Sequence, residues 1–438
     1  INAGLLSMAA SFILIVIFMI FFYAGAGMIA NVVLLLNLFM IIGLMAAFGF
    51  TLTLPGIAGI VLTLGMAVDA NVIIYERVKE EHRAGKGLWV SIQEGFKHSY
   101  AAILDGNITT LLTAIILAVI GIGAVRGFAI TLIIGIATTL FTAVLLTKII
   151  LDNRREKGKS ITYFSEMTKN FLQGINFDFI GKRKITYAIS TVFILVGMVS
   201  FFTRGFEMGI DFKGGREYKV RFENAVNTNE VRNALNKTLG AGTVVKQFGS
   251  ANQVKLTTSY LINKTGKEVD GQVEMAVYEG LKQFMPNTSY ENFKRVNLMS
   301  STKVDPTISQ DFKRSSVLAT VLSLLVIFIY ILIRFRKYGY SVGALAATAH
   351  DAFAVIAVFS LLHGILPFSM EVDANFIAAI LTIIGYSLND TVIIFDRLRE
   401  YLKERPNADM KETMNAAINS TLSRTFNTAF TVIIVVLI

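Results

Sequence analysis

A seventeen-residue apolar segment with an acid inside it occurs twice in this chain. The first copy is GMAVDANVIIYERVKEE, residues 65–81, and the second is GYSLNDTVIIFDRLREY, residues 385–401. The copies align without a gap at an offset of 320 residues, so that Gly65 matches Gly385, Arg77 matches Arg397 and Glu80 matches Glu400. An acid at the centre of a membrane helix costs about 2.5–3.5 kcal/mol on insertion scales and marks an ion or proton pathway by default. Duplication of such an element predicts two related membrane halves.

Composition agrees with a membrane chain. Of 438 residues 54% are apolar and only 16% charged, and the mean hydropathy is +0.59. Apolar runs near the 20-residue length of a bilayer crossing recur. Ten spans are expected, at 5–23, 30–50, 56–76, 101–120, 128–148, 185–203, 315–333, 340–362, 375–396 and 422–438. The net charge of +10 invites a nucleic-acid reading, but its distribution argues against one. Of the 41 Lys and Arg, 22 fall in 77–99, 148–184, 334–337 and 397–421, which share one side if the spans alternate. That is the positive-inside pattern and predicts these segments to be cytoplasmic. Cysteine is absent, which excludes disulfides and thiol chemistry.

The expected organisation is a five-span half over 1–150, a basic cytoplasmic linker over 151–184, a span at 185–203, a polar domain over 204–314 and a second half over 315–438. A short amphipathic stretch is expected around 163–171. In the polar domain the alternation of Tyr218, Val220 and Phe222 predicts a strand. A helix over 228–239, strands at 243–248 and 253–258 joined by a turn at 249–252, a helix over 269–284 and a strand within 290–299 follow. This order is the split βαβ pattern of a ferredoxin-like domain. The fold class is therefore a polytopic α-helical membrane protein with two pseudo-repeated bundles and one small extracytoplasmic α+β domain. No nucleophile–histidine pair, metal cluster or nucleotide loop is visible. GIDFKGG, residues 209–215, lacks the Walker ending and reads as a turn where the chain leaves the membrane. Enzymatic activity, a metal and a cofactor are not expected.

Asp69 and Asp390 are the candidate titrating acids, both near mid-membrane. The acid moves by one position between copies, Asp69 aligning with Asn389 and Asn71 with Thr391, which turns the carboxylate by about 100°. Against a titrating role stands a plain structural hydrogen bond to a neighbouring helix. Arg424 is the only Lys or Arg clearly inside a span, within reach of Asp390 or able to snorkel to the surface. Asn427 shares its face, and Asn107, in DGNITT, is the counterpart of Asn427 at the same offset. Asp105 is either a further membrane acid or a solvated helix-end one. His350 and Asp351 form a polar pair that could relay protons or only pack.

These motifs resemble one family. VDANVIIYER, DGNITTLL and GAVRGFA resemble SecD, and GIDFKGG, HDAFAVIAVFSL, GYSLNDTVIIFDRLRE and SRTFNT resemble SecF, two components of bacterial protein export. The resemblance implies an RND-like fold and a proton-motive-force-driven accessory of the Sec translocase in the inner membrane. It implies Asp69 and Asp390 as the membrane carboxylates and Arg424 as their basic partner. It further implies the SecYEG translocon, SecA-driven export, YajC and YidC as partners, with unfolded preprotein, protons and the lipid bilayer, and no nucleic acid. The rival is an RND-type antiporter of small molecules or lipids, against which the short polar insert speaks. The family pattern also predicts chain beyond both ends of this sequence. Departures are the absence of the usual Arg in FYAGAGMIA, VDP at 304–306 in place of VGP, and Ala429 where Ser is common.

Overall fold

The computed structural model describes residues 2–165, 167–169, 171–172, 174–264, 266–366 and 370–436. Helix α1 (Asn2–Ala47) holds the first two expected spans. Ala24, at φ 47° and ψ −120°, breaks it. Asn31 Nδ2 donates to the Val16 carbonyl at 3.1 Å, whereas residues 15 apart in one straight helix would lie about 22 Å apart. The chain therefore folds back at Ala24. Gly27 is needed there, because a Cβ would sit 2.0 Å from the Met19 carbonyl oxygen.

The helices that follow are α2 (Leu54–Arg83), α3 (Leu88–Ile120), α4 (Ala124–Thr139) and α5 (Thr147–Glu156). Thr53 caps α2 by accepting from the Gly56 amide. Between α4 and α5 the backbone widens into π-helical turns over Leu140–Leu146, so the expected span at 128–148 is one helix with a wide segment inside it. Beyond these come α6 (Phe179–Arg204), the short α7 (Ile210–Lys213), α8 (Thr228–Leu239), α9 (Lys267–Leu281) and α10 (Tyr290–Asn292). The series ends with α11 (Pro306–Phe335), α12 (Tyr338–Leu362), α13 (Ala374–Glu404) and α14 (Met410–Val436). Among the described residues eight helices are long and apolar enough to cross a membrane, so the protein is multi-pass. The first of them, Leu6–Ala47, is the folded-back pair. The tenth expected span falls on the second half of α14, which is not among the eight; residues 437 and 438 lie outside the described residues. The stretch expected to be amphipathic around 163–171 is turns rather than helix where it is described.

The chain divides into two compact units. The first comprises the residues up to Thr191, Ala319–Ala352 and the chain from Ala378 onward. Its hub is α2, the most enclosed of the crossing helices, packed against α1, α3, α4 and α14. Leu64, Val72, Ile74, Tyr75 and Val78 of α2 are fully buried, together with Ile15, Met19 and Tyr23 of α1. A helix that carries Asp69 and Asn71 at membrane depth keeps them from lipid by sitting at the centre of a bundle.

The second unit comprises Val192–Leu318 and Phe353–Ile377. It carries an antiparallel sheet of β1 (Gly215–Arg221), β2 (Val244–Phe248), β3 (Ser250–Thr258) and β4 (Leu298–Val304) in the order β2-β3-β1-β4. With α8 and α9 this is the ferredoxin-like arrangement. Tyr218, Val220, Val254 and Leu256 meet Val231, Leu235, Val273 and Val277 in its core. Two details depart from expectation. The β2–β3 turn is tighter, a single Gly249 at φ 67°. The last strand lies at 298–304 and not within 290–299, because Tyr290 and Phe293 are spaced for helical turns, and both pack on Tyr278. The GIDFKGG segment is more than a turn. The amide of Gly209 donates to the Val372 carbonyl at 2.9 Å, and Asp211 Oδ2 accepts from the Ala374 amide at 2.9 Å. Asp211 thereby caps the first residue of α13. Burial raises its carboxyl above the ordinary range. Gly214, at φ 71°, lies against Val304 and Pro306, where VDP hands β4 over to α11.

Candidate functional site: buried acids beneath an ionic clasp

Asp69 lies on the central helix α2 and is 3% exposed. Its Oδ2 accepts from Asn389 Nδ2 of α13 at 2.7 Å, and among the described residues its Oδ1 has no hydrogen-bond partner. The two bonded residues are equivalent positions of the two copies, so the repeats meet at their own symmetry-related point. Gly106 of α3 makes the room, because a Cβ there would fall 2.1 Å from Asn389 Oδ1. A cavity of about 20 Å³ beside Asp69, bordered by Asn107 and Thr110, matches a single water in size.

Asp390 follows Asn389 and has different neighbours. Among the described residues it makes no hydrogen bond or ion pair, but it interacts through space with Arg424 of α14. Arg424 also feels Asp69. No carboxylate of the described residues lies within ion-pair distance of Arg424, and its Nε is buried without a partner. The direct Asp390–Arg424 contact that the helix order allows is not made in this structure.

The remaining expected residues separate into other roles. Asp105, 4% exposed, is not a solvated helix-end acid. It accepts from the Tyr330 hydroxyl at 2.7 Å and pairs with Arg334 Nε at 2.7–2.8 Å, both on α11. Asn71 bonds the Ala67 carbonyl and accepts from Thr147, facing away from the acids. Asn107 Nδ2 bonds back to Ile103 on its own helix. Asn427, fully buried, donates to the Tyr23 hydroxyl at 3.0 Å and to Glu76 Oε1 at 3.4 Å rather than serving Arg424. His350 bonds Asp351 at 2.9 Å and the Ser190 hydroxyl, and Ser387 donates to Asp351 at 2.5 Å. That pair is nearly half exposed and makes no bond to Asp69, Asp390 or Arg424.

Sequence reasoning missed two features. Glu76 is a further, largely enclosed carboxylate, bonded by Tyr23, Lys79 and Ser423 at 3.0, 3.0 and 3.1 Å. The other feature is a reciprocal clasp at the Lys- and Arg-rich ends of α2 and α13. Arg77 pairs with Glu400 at 2.7 Å and Arg397 with Glu80 at 2.5 Å, while each Arg also holds the Glu three residues on in its own helix, at 3.2 and 3.0 Å. Its signal was present in the repeat, since R-x-x-E at one offset in both copies permits each Arg to reach either Glu. Cavities of about 320 and 1020 Å³ flank the clasp, and Arg424 borders both.

The family model described as "Protein export membrane protein SecD/SecF, C-terminal" matches residues 1–157 and 286–438. The chain belongs to the SecD/SecF family. A second model, the SecD/SecF GG motif, matches residues 199–226, which contain Gly214 and Gly215. The protein translocase subunit SecDF of Brucella abortus is 35% identical over 98% of this chain and 54% of its own length. The subunit SecF of Rhodothermus marinus is 40% identical over 61% of this chain and 82% of its own. The crystal structure of SecDF, a translocon-associated membrane protein from Thermus thermophilus, superposes with a TM-score of 0.84 at 32% identity, covering 100% of this chain and 57% of that one. The chain thus spans about half the length of its SecDF relatives. The two repeated helices, α2 and α13, each lie in one of the two stretches that the family model matches, and the site draws on both.

Proposed function

We propose that this chain is the membrane part of a proton-driven accessory to Sec-dependent protein export across the bacterial inner membrane, with the 204–314 domain on the periplasmic side. The observation that carries the proposal is the grouping of Asp69, Asn389, Asp390 and Arg424 at the heart of a bundle, with Asp390 and Arg424 unpaired among the described residues and Asp69 held by one neutral donor. Charges without fixed partners in such a place can be neutralised or paired in alternation. Protonation of Asp69 and Asp390 frees Arg424, and deprotonation draws it back. The cavities flanking the clasp give Arg424 a route to the cytoplasmic side. One charge crossing 100 mV releases about 2.3 kcal/mol, and one pH unit adds about 1.4 kcal/mol. These energies suit a conformational bias rather than bond chemistry. Because Asp211 caps α13, the helix that bears Asp390, a shift of α13 reaches the segment that opens into β1. The partners of this reading are the SecYEG translocon and an unfolded preprotein.

The test is reconstitution of the full-length protein with the translocon, measuring proton flux and export together. Asp69→Asn and Asp390→Asn are expected to lose both. Wild-type rates of flux and export in both variants would overturn the assignment.

A further inference from the structure

A groove of about 1280 Å³ runs between α3 and the π-helical turns that continue into α5. It is distinct from the acid site and the clasp, although Ile103 also borders the small cavity beside Asp69 and Lys97 the larger cavity beside the clasp. Its character changes along its length. At one end it is walled by Ile103, Leu104, Leu140, Phe141 and Leu145, of which Phe141 and Leu145 are 43% and 47% exposed. At the other end it is bordered by Lys97 and Lys148, then by Asp152, Arg155 and Glu156 further along α5, so that the two lysines nearest the apolar wall are cationic and the outer turns are of mixed charge.

The two lysines share one depth. Lys97 lies 23 residues before the end of α3 at Ile120, and Lys148 lies 24 residues after the start of α4 at Ala124. Only residues 121–123 join those ends. At 1.5 Å per residue both ammonium-bearing positions stand about 35 Å from the connection, just beyond a hydrocarbon core of about 30 Å. They therefore sit at headgroup level. Lys148 has no ion-pair partner among the described residues, and Lys97 has only the 3.6 Å contact to Glu94. Two neighbouring cations at phosphate depth above an aromatic and aliphatic wall complement one kind of molecule. The π-helical widening places Phe141 and Leu145 on that wall, which gives this segment a use in the membrane.

We infer that this groove is a binding site for an anionic glycerophospholipid, its phosphodiester held between Lys97 and Lys148 and an acyl chain laid along Phe141 and Leu145. Arg155 lies further out, where a second headgroup charge would fall.

The test uses the protein purified in mild detergent. Trp89, the sole tryptophan, is replaced by Phe and a reporter introduced as Phe141→Trp. Phosphatidylglycerol with brominated acyl chains is titrated in at low mole fraction, and saturable quenching is expected. Lys97→Gln with Lys148→Gln should weaken half-saturation about 30-fold, at about 1 kcal/mol per basic residue near the surface. Lys97→Arg with Lys148→Arg should retain binding, as should Lys337→Gln with Lys403→Gln, which remove cations that border the larger clasp cavity, as Lys97 does, but not the groove. Inorganic phosphate at equal concentration should leave the quenching unchanged; displacement by it would identify a free-anion site and overturn the lipid assignment. Unchanged affinity in the double Gln variant, or equal binding of brominated diacylglycerol, would overturn the role of the lysines.

Discussion

Arg334→Met isolates the energetics of the ion pair between α3 and α11. In the native protein Asp105 is 4% exposed and satisfied by Arg334 and the Tyr330 hydroxyl. Removing the guanidinium leaves a buried carboxylate with one neutral donor. Breaking a buried pair by deleting one partner costs about 3–5 kcal/mol. The Arg334 side chain is 22% exposed, so water screens part of the pair and the lower end, about 3 kcal/mol, is expected. That is a little over a hundredfold in the folding equilibrium at about 1.4 kcal/mol per decade. Asp105→Leu combined with Arg334→Met removes both charges and should recover most of the loss. It leaves about 1 kcal/mol, because Asp396 also loses its 3.6 Å contact to Arg334 while keeping Arg399 at 3.4 Å. The assay is reversible unfolding in mixed micelles across the full double-mutant cycle. If the double variant costs the sum of the two single changes, the pair contributes no coupling and the reasoning fails.

Three further outcomes are expected. In the clasp, Arg77→Ala and Glu400→Ala should show a coupling of about 1–2 kcal/mol in an unfolding cycle, and Arg77→Glu with Glu400→Arg should recover part of what either reversal alone removes, the rest being lost to the like charges of Glu80, Glu81 and Arg397; additive losses would deny the pairing. Gly106→Ala should push Asn389 off Asp69 and lower proton flux in reconstituted vesicles as Asn389→Ala does, whereas unchanged flux would show that the bond is dispensable. In the sheet domain, the Arg216 bond at 2.6 Å holds the Asp270 carboxyl below the ordinary range. A depressed acid stabilises the fold above its unfolded value and ceases to do so as pH falls through its folded value. The protection of β1 and α9 against hydrogen exchange, taken relative to the intrinsic rate at each pH, should therefore fall on acidification below about pH 4, and Asp270→Asn should abolish that step.

How much of this was legible in sequence depends on what each pattern encodes. Hydropathy and the repeat give depth along a helix axis, so Asp69 and Asp390 could be placed within the bilayer. They do not give the direction a side chain faces, which is why Asp105 could not be assigned to Arg334, 229 residues away. The Asn427–Glu76 bond joins helices 351 residues apart in the chain and was hidden for the same reason. The sheet was readable because Tyr218–Phe222 and Gln253–Thr258 alternate cleanly. The last strand slipped because Tyr290 and Phe293 are apolar at helical spacing, and counting apolar residues without their period blurs the two. The reversal at Ala24 left no proline or charge to announce it, only the small residues of AGAG that let two helices approach.

The site is assembled by exchange. The helix α14, from the far end of the chain, packs on α2 and α1 rather than remaining with its own half, and Ser423 and Asn427 complete the bonds of Glu76. Neither half alone owns a finished machine, like a lock that needs two keys turned together. Opening the peptide chain at the exposed Gly174–Asn176 stretch should thus yield two fragments that remain partnered without a covalent tether, while either fragment made alone would present polar groups to lipid with nothing to answer them.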